Sequence, residues 1–78
     1  MREELLNILA EVCEEEEVKT DLDLELVESG LLYSLAFAEL LARLEDELGI
    51  VIAPSEIQRT DMDTPAKILA LAESRKQG

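Results

Sequence analysis

Glu28-Ser29-Gly30-Leu31-Leu32-Tyr33-Ser34-Leu35 decides how this chain reads, because it joins two unlike patterns. After it, Phe37, Leu40, Leu41, Leu44 and Leu48 form a wide apolar stripe, with Glu39, Arg43, Glu45, Asp46 and Glu47 largely outside it. That is the period of a helix with one buried face, predicted over residues 34–48 and ended by Gly49, which adopts the backbone of a helix terminus easily. Before it, Leu22, Leu24, Leu26 and Val27 alternate with Asp21, Asp23, Glu25 and Glu28, which taken alone suggests a strand. No other segment alternates for long enough to pair with one. Residues 18–33 therefore read as an ordered loop whose leucines plug the core, with Ser29-Gly30 turning into the helix.

Working outward, Leu5, Leu6, Ile8, Leu9, Val12 and Cys13 predict a first helix over residues 2–16. Glu3 and Glu4 suit its positive end, while Glu14-Glu15-Glu16-Glu17 oppose the dipole at the other end and predict fraying. Beyond Gly49, Ile50-Val51-Ile52 reads as a buried connector and Pro54-Ser55-Glu56-Ile57 as a short helical turn. Thr64-Pro65 reads as an N-cap and first helical residue. The last helix has Ile68, Leu69, Leu71 and Ala72 inside and ends near Arg75-Lys76, two cations that suit its C-terminus. The expected fold is all-α: a small three- to four-helix bundle with a long first loop, residues 1–78 forming a single domain.

Composition narrows the function. Seven basic against nineteen acidic residues give a net charge of −12, which repels nucleic-acid phosphates and anionic membranes and attracts basic protein surfaces. No run approaches the ~20 apolar residues of a membrane span, and the start Met-Arg-Glu-Glu is unlike a signal peptide. With one cysteine and an apolar fraction of 47%, the expectation is a folded cytoplasmic protein.

Candidate chemistry is sparse. Asp21-Leu22-Asp23-Leu24-Glu25 starts like a calcium loop, but Leu26 stands where the sharp turn needs glycine and Leu32 where a bidentate glutamate belongs. A solvated acidic loop accounts for it better. Cys13 lies on the apolar face of its helix with no basic neighbour in sequence, as a buried small hydrophobe would. Asp61 and Asp63 read as loop and cap residues. The chain has no histidine, phosphate-cradling glycine loop or zinc spacing, which points away from an enzyme with its own active site.

Ser34 remains, with two readings. A serine before an apolar helix is an ordinary N-cap. It is also a hydroxyl in the open at a helix start, where an attached group is within reach of other proteins. Gly30-Leu31-Leu32-Tyr33-Ser34-Leu35, followed by Glu39-Leu40 and Glu45-Asp46-Glu47, resembles the phosphopantetheine attachment region of acyl carrier proteins. Helix order, loop length and the proline after Ile50-Val51-Ile52 extend the resemblance over nearly the whole chain. The segment from Gln58 to Ile68 is similar to the branch that carries D-alanine for teichoic-acid alanylation.

The resemblance implies 4′-phosphopantetheine, derived from coenzyme A, on Ser34, with cargo held as a thioester on its thiol. D-alanine is the first choice of cargo and an acyl group the second. It implies a phosphopantetheinyl transferase, an adenylating loading ligase and an acyltransferase or other acceptor system as partners of a monomeric carrier. Glu39, Glu45, Asp46 and Glu47 would form the docking surface, with Leu35 either an apolar anchor beside the attached group or simply packed. One position departs: the family's aspartate directly before the serine is here Tyr33, whose phenol is a poor ligand for a hard cation. That departure motivates an alternative, a carrier-like acidic interaction module without the prosthetic group.

Overall fold

The computed structural model describes residues 2–75, the side chains of Pro54 and Arg59 apart. Three α-helices carry the fold: α1 (Arg2–Cys13), α2 (Ser34–Leu48) and α3 (Pro65–Arg75). Three short 3₁₀ turns connect them, Glu16–Lys19, Pro54–Glu56 and Arg59–Met62, and no strand occurs among the described residues. The expected all-α bundle is what forms.

α1 buries the predicted face, Leu5, Leu6, Ile8, Leu9, Val12 and Cys13. It stops at Cys13, three residues before the expected end. Extending it would stack like charges against the negative end of the helix dipole. Instead Glu14 adopts a left-handed backbone (φ 55°), and the Glu15 N–H donates to the Ala10 carbonyl at 3.0 Å. The end is thus closed by a backbone turn rather than left to fray. The Glu16–Lys19 turn that follows carries Val18 into the core.

The long loop is packed. Leu26 and Leu32 are fully buried, and Leu22 and Leu24 pack against the core from its edge. Its backbone groups bond elsewhere than to a strand: the Leu26 N–H donates to the Asp63 carbonyl at 2.8 Å, the Leu32 N–H to the Leu26 carbonyl at 2.9 Å. The Leu22 carbonyl accepts from the Ala66 N–H at 3.0 Å, in the first turn of α3. A radius of gyration of 11.1 Å is close to the roughly 11.5 Å of a compact chain of this length, so the loop closes the bundle.

α2 runs as predicted and ends at Gly49 in the left-handed conformation (φ 68°). Ala36, Leu40, Leu41 and Leu44 are buried, with Phe37 and Leu48 half-buried beside them. The connector expected to be buried is so at Ile50 and Ile52, but Val51 is 60% exposed. The next turn ends at Glu56, with Ile57 extended after it (φ −133°, ψ 161°). The second turn, Arg59–Met62, has no counterpart in the sequence reading; it buries Met62 completely. At α3 the expected cap forms, Thr64 Oγ1 accepting from the Lys67 N–H at 3.2 Å. Ile68, Leu69 and Ala72 are buried and Leu71 half-buried. Arg75 does more than face a helix terminus: its Nη1 pairs with Glu56 Oε1 at 2.7 Å and ties the end of α3 to the Pro54–Glu56 turn. Lys76 lies outside the described residues.

Candidate functional site

The loop delivers Ser34 by a chain of local constraints. The Ser29 N–H donates to the Glu25 carbonyl (3.2 Å) and the Gly30 N–H to the Val27 carbonyl (3.1 Å). Gly30 turns the chain at φ 80°, a conformation that a side chain strains whatever the space around it. Leu32 then anchors the chain in the core, and Ala36, at 2% exposure, anchors it again one turn into α2. Between these two buried residues Tyr33, Ser34 and Leu35 all face outward, Tyr33 at 56% and Leu35 at 70% exposure.

Ser34 is therefore exposed, and it is the first helical residue rather than the N-cap that the plain reading expected. The cap position belongs to Tyr33, in extended backbone (φ −81°, ψ 177°), whose side chain makes no capping hydrogen bond. The reason is register: α2's first backbone bond runs from the Phe37 N–H to the Tyr33 carbonyl at 2.8 Å. As the first helical residue Ser34 is exposed at the end of α2. The first turn of α2 holds no acidic residue, so no fixed negative charge there opposes a phosphodiester at this helix end.

The other predicted residues divide. Helical periodicity places Leu35, Glu39 and Asp46 along one exposed stripe of α2, with Glu45 at its edge. Ala38 and Ala42 complete that stripe, and their exposure was not singled out in the sequence. Two alanines among exposed acids are its only trace there. Glu47 is exposed but turned toward α1: its Oε2 lies 2.7 Å from Arg43 Nε, and Arg43 Nη1 holds Glu11 Oε1 at 2.9 Å. The pairing with two carboxylates raises the Arg43 pKa further. No ion pair engages Glu39, Glu45 or Asp46 among the described residues.

Elsewhere, a cleft of about 250 Å³ between the loop and the Arg59–Met62 turn is lined by Glu25, Val27, Glu28, Thr60 and Asp63. The Glu25 carboxyl is held above its ordinary range by its hydrogen bond with Glu28 and then by that residue's charge. The Asp21 carboxylate shapes its own loop, accepting from the Asp23 N–H at 3.1 Å. Cys13 is buried, and burial, followed by the Glu15 charge, pushes its thiol from 9.0 up to about 11. No described helix is long and apolar enough to cross a membrane.

Comparison with known proteins bears on the same region. Residues 3–72 match the family described as phosphopantetheine attachment site. The chain is 43% identical to the D-alanyl carrier protein of Abiotrophia defectiva over 75 residues, covering 96% of this chain and 95% of that one. It is 44% identical over 69 residues to the D-alanyl carrier protein of Lacticaseibacillus casei, covering 88% and 85%. With that of Bacillus velezensis it shares 41% over 68 residues, 87% of each chain.

Proposed function

We propose a role for Ser34 on one premise: the chain belongs to the phosphopantetheine attachment family, in its D-alanyl carrier branch. It is a carrier that holds D-alanine on covalently attached 4′-phosphopantetheine, and the interaction module without a prosthetic group is not favoured. Ser34 is the attachment point. The observation that carries this is its placement, an exposed hydroxyl on the first residue of α2 between the buried anchors Leu32 and Ala36.

In the attachment step Ser34 Oγ bonds to the phosphorus that bears pantetheine in coenzyme A. The bond from that phosphorus to the nucleotide's phosphate breaks, adenosine 3′,5′-bisphosphate leaves, and the serine proton passes to the transferase or solvent. Once bound, the group supplies a terminal thiol that holds the cargo as a thioester. The chain's own part is placement and recognition. Leu35 stands beside the arm as an apolar contact, and Glu39, Glu45 and Asp46 present negative charge to basic surfaces of a transferase, a loading ligase and an acceptor enzyme. Glu47, held by Arg43, is the weaker contributor to that face. The chemistry of loading and transfer resides in those partners.

Intact mass after incubation with coenzyme A and a broad-specificity transferase tests the assignment. One phosphopantetheine is gained by the native chain and none by Ser34→Ala; a gain that persists in Ser34→Ala refutes it. Tyr33 offers no carboxylate beside the reacting hydroxyl, so Tyr33→Asp is expected to be modified several-fold faster. Equal rates would show that this position plays no part in the transfer.

A further inference from the structure

We propose that Lys67 is a positioning residue for the attachment reaction, a clasp between α3 and the loop that sets where Ser34 stands. This rests on Ser34 being the attachment point and adds what holds that serine in place.

The loop is fastened to the start of α3 at two points. The Ala66 N–H donates to the Leu22 carbonyl at 3.0 Å, and the Leu26 N–H to the Asp63 carbonyl at 2.8 Å. Leu26 passes the second contact on. Its own carbonyl accepts from the Leu32 N–H at 2.9 Å and from Ser29 Oγ at 3.4 Å, so backbone bonds run from Asp63 through Leu26 to Leu32, close before Ser34. Lys67 fixes the far end of that path. Its Nζ donates to the Thr60 carbonyl at 3.2 Å and pairs with Asp63 Oδ1 at 3.0 Å, holding the Arg59–Met62 turn within its span and at the residue that ends it. The same ammonium stands against a crowd of like charge. Glu25, Glu28 and Asp63 line one cleft. Glu25 shares a hydrogen bond with Glu28, is repelled by the charges of Glu28 and Asp63, and is attracted by Lys67. Each such pair is exposed and weak, but the carboxylates on both sides of the Leu26–Asp63 bond answer to the same cation. Without it their repulsion acts across that bond and pushes the loop off the turn. A reacting group out of place by about 1 Å can cost about a hundredfold in rate, so even a slight shift of Ser34 is visible in turnover.

The test follows attachment to the apo chain by a broad-specificity transferase with coenzyme A, for the native chain, Lys67→Arg, Lys67→Met and Lys67→Met with Glu25→Gln. Lys67→Met makes the chain more negative, which by charge alone favours capture by a basic surface, so KM is expected to hold or fall. Its kcat is expected to drop about three- to tenfold, because the hydroxyl is captured but misplaced. Lys67→Arg keeps the charge and should keep most of the native kcat. Removing the Glu25 charge in the double variant should recover most of the loss. Amide exchange reads the clasp without any enzyme: Leu26 and Leu32 should exchange several-fold faster in Lys67→Met, with Leu9 in α1 unchanged. Glu25→Gln alone, which relieves the crowding with Lys67 in place, should slow exchange at Leu26 and Leu32.

A native kcat in Lys67→Met overturns the proposal, as does a loss carried by KM alone. So does a kcat loss that Lys67→Arg and the double variant share in full, or exchange at Leu26 and Leu32 that Glu25→Gln leaves unchanged. Intact mass separates the two layers: absence of a mass gain at Ser34 in the native chain defeats the attachment reading and this inference with it, whereas a full gain with native kcat in Lys67→Met defeats this inference alone.

Discussion

Arg43 Nη1 on α2 lies 2.9 Å from Glu11 Oε1 on α1, and the same guanidinium holds Glu47 through Nε at 2.7 Å. One cation thus joins two helices and neutralises acids that would otherwise repel across their interface in a chain of net charge −12. Exposed pairs contribute about 0.2–1 kcal/mol each and are screened by salt. Arg43→Ala is therefore expected to cost about 1 kcal/mol in urea unfolding at low ionic strength and clearly less in 1 M salt. A loss independent of salt would mean that Arg43 acts through the packing of its stem and not its charge.

Gly30 and Glu14 both have positive φ, 80° and 55°, but only one of them is glycine. A side chain in the left-handed region costs roughly 1–2 kcal/mol. Gly30→Ala should lower stability by about 1 kcal/mol although a Cβ there meets nothing within 4 Å. Glu14→Gly should raise it by a similar amount and also remove a negative charge from the C-terminal end of α1. Denaturant midpoints with unchanged slopes would establish both; a Gly30→Ala midpoint equal to the native one would show that the loop has another route into α2.

How much of this was legible in the sequence depends on range. Periodicity marked the buried faces of all three helices, and the apolar stripe beginning at Phe37 put Ser34 at a helix start. The end of α1 was misplaced because a 3.6-residue period does not say when a run of like charge outweighs propagation, nor that Val18 must return to the core. The Arg59–Met62 turn escaped because its buried residue, Met62, has no periodic neighbour. At the site, Glu45 and Glu47 look alike in sequence. Only the approach of α1, which brings Glu11 to Arg43, turns Glu47 aside and leaves Glu45 on the open face. Likewise the cap position, though no capping bond, passed from Ser34 to Tyr33 by a one-residue shift in register, below what residue preference resolves.

The Glu25 carboxyl, hydrogen-bonded to Glu28 and repelled by its charge, has its pKa raised above the ordinary 4.5. A carboxyl that binds its proton more tightly folded than unfolded favours the folded state while protonated, and that favour is lost as pH rises through the raised value. Above the raised value the ionised Glu25 is opposed by its acidic neighbour. Glu28→Gln is therefore expected to melt higher than the native chain at pH 7, with the difference narrowing as pH falls through the weakly acid range toward 4.5. A difference constant across that range would refute the pairing as its source.

Cys13, buried with its thiol pushed up to about 11, holds about a hundredfold less thiolate at a given pH than the 9.0 of an open thiol allows. Because the thiolate is the reacting species, though a more basic one is the better nucleophile, the folded apo chain should react with a disulfide reagent at pH 8 at least about tenfold more slowly than a free thiol. Denaturation should release the full rate. Modified protein should then show one fast thiol, contributed by the arm, over the silent background of Cys13, and Ser34→Ala carried through the same reaction should show none. This makes thiol counting a direct readout of arm attachment without removal of the native cysteine. A fast thiol in the folded apo chain would mean that the α1 interface opens on the timescale of the reagent, and the burial of Cys13 would no longer protect it.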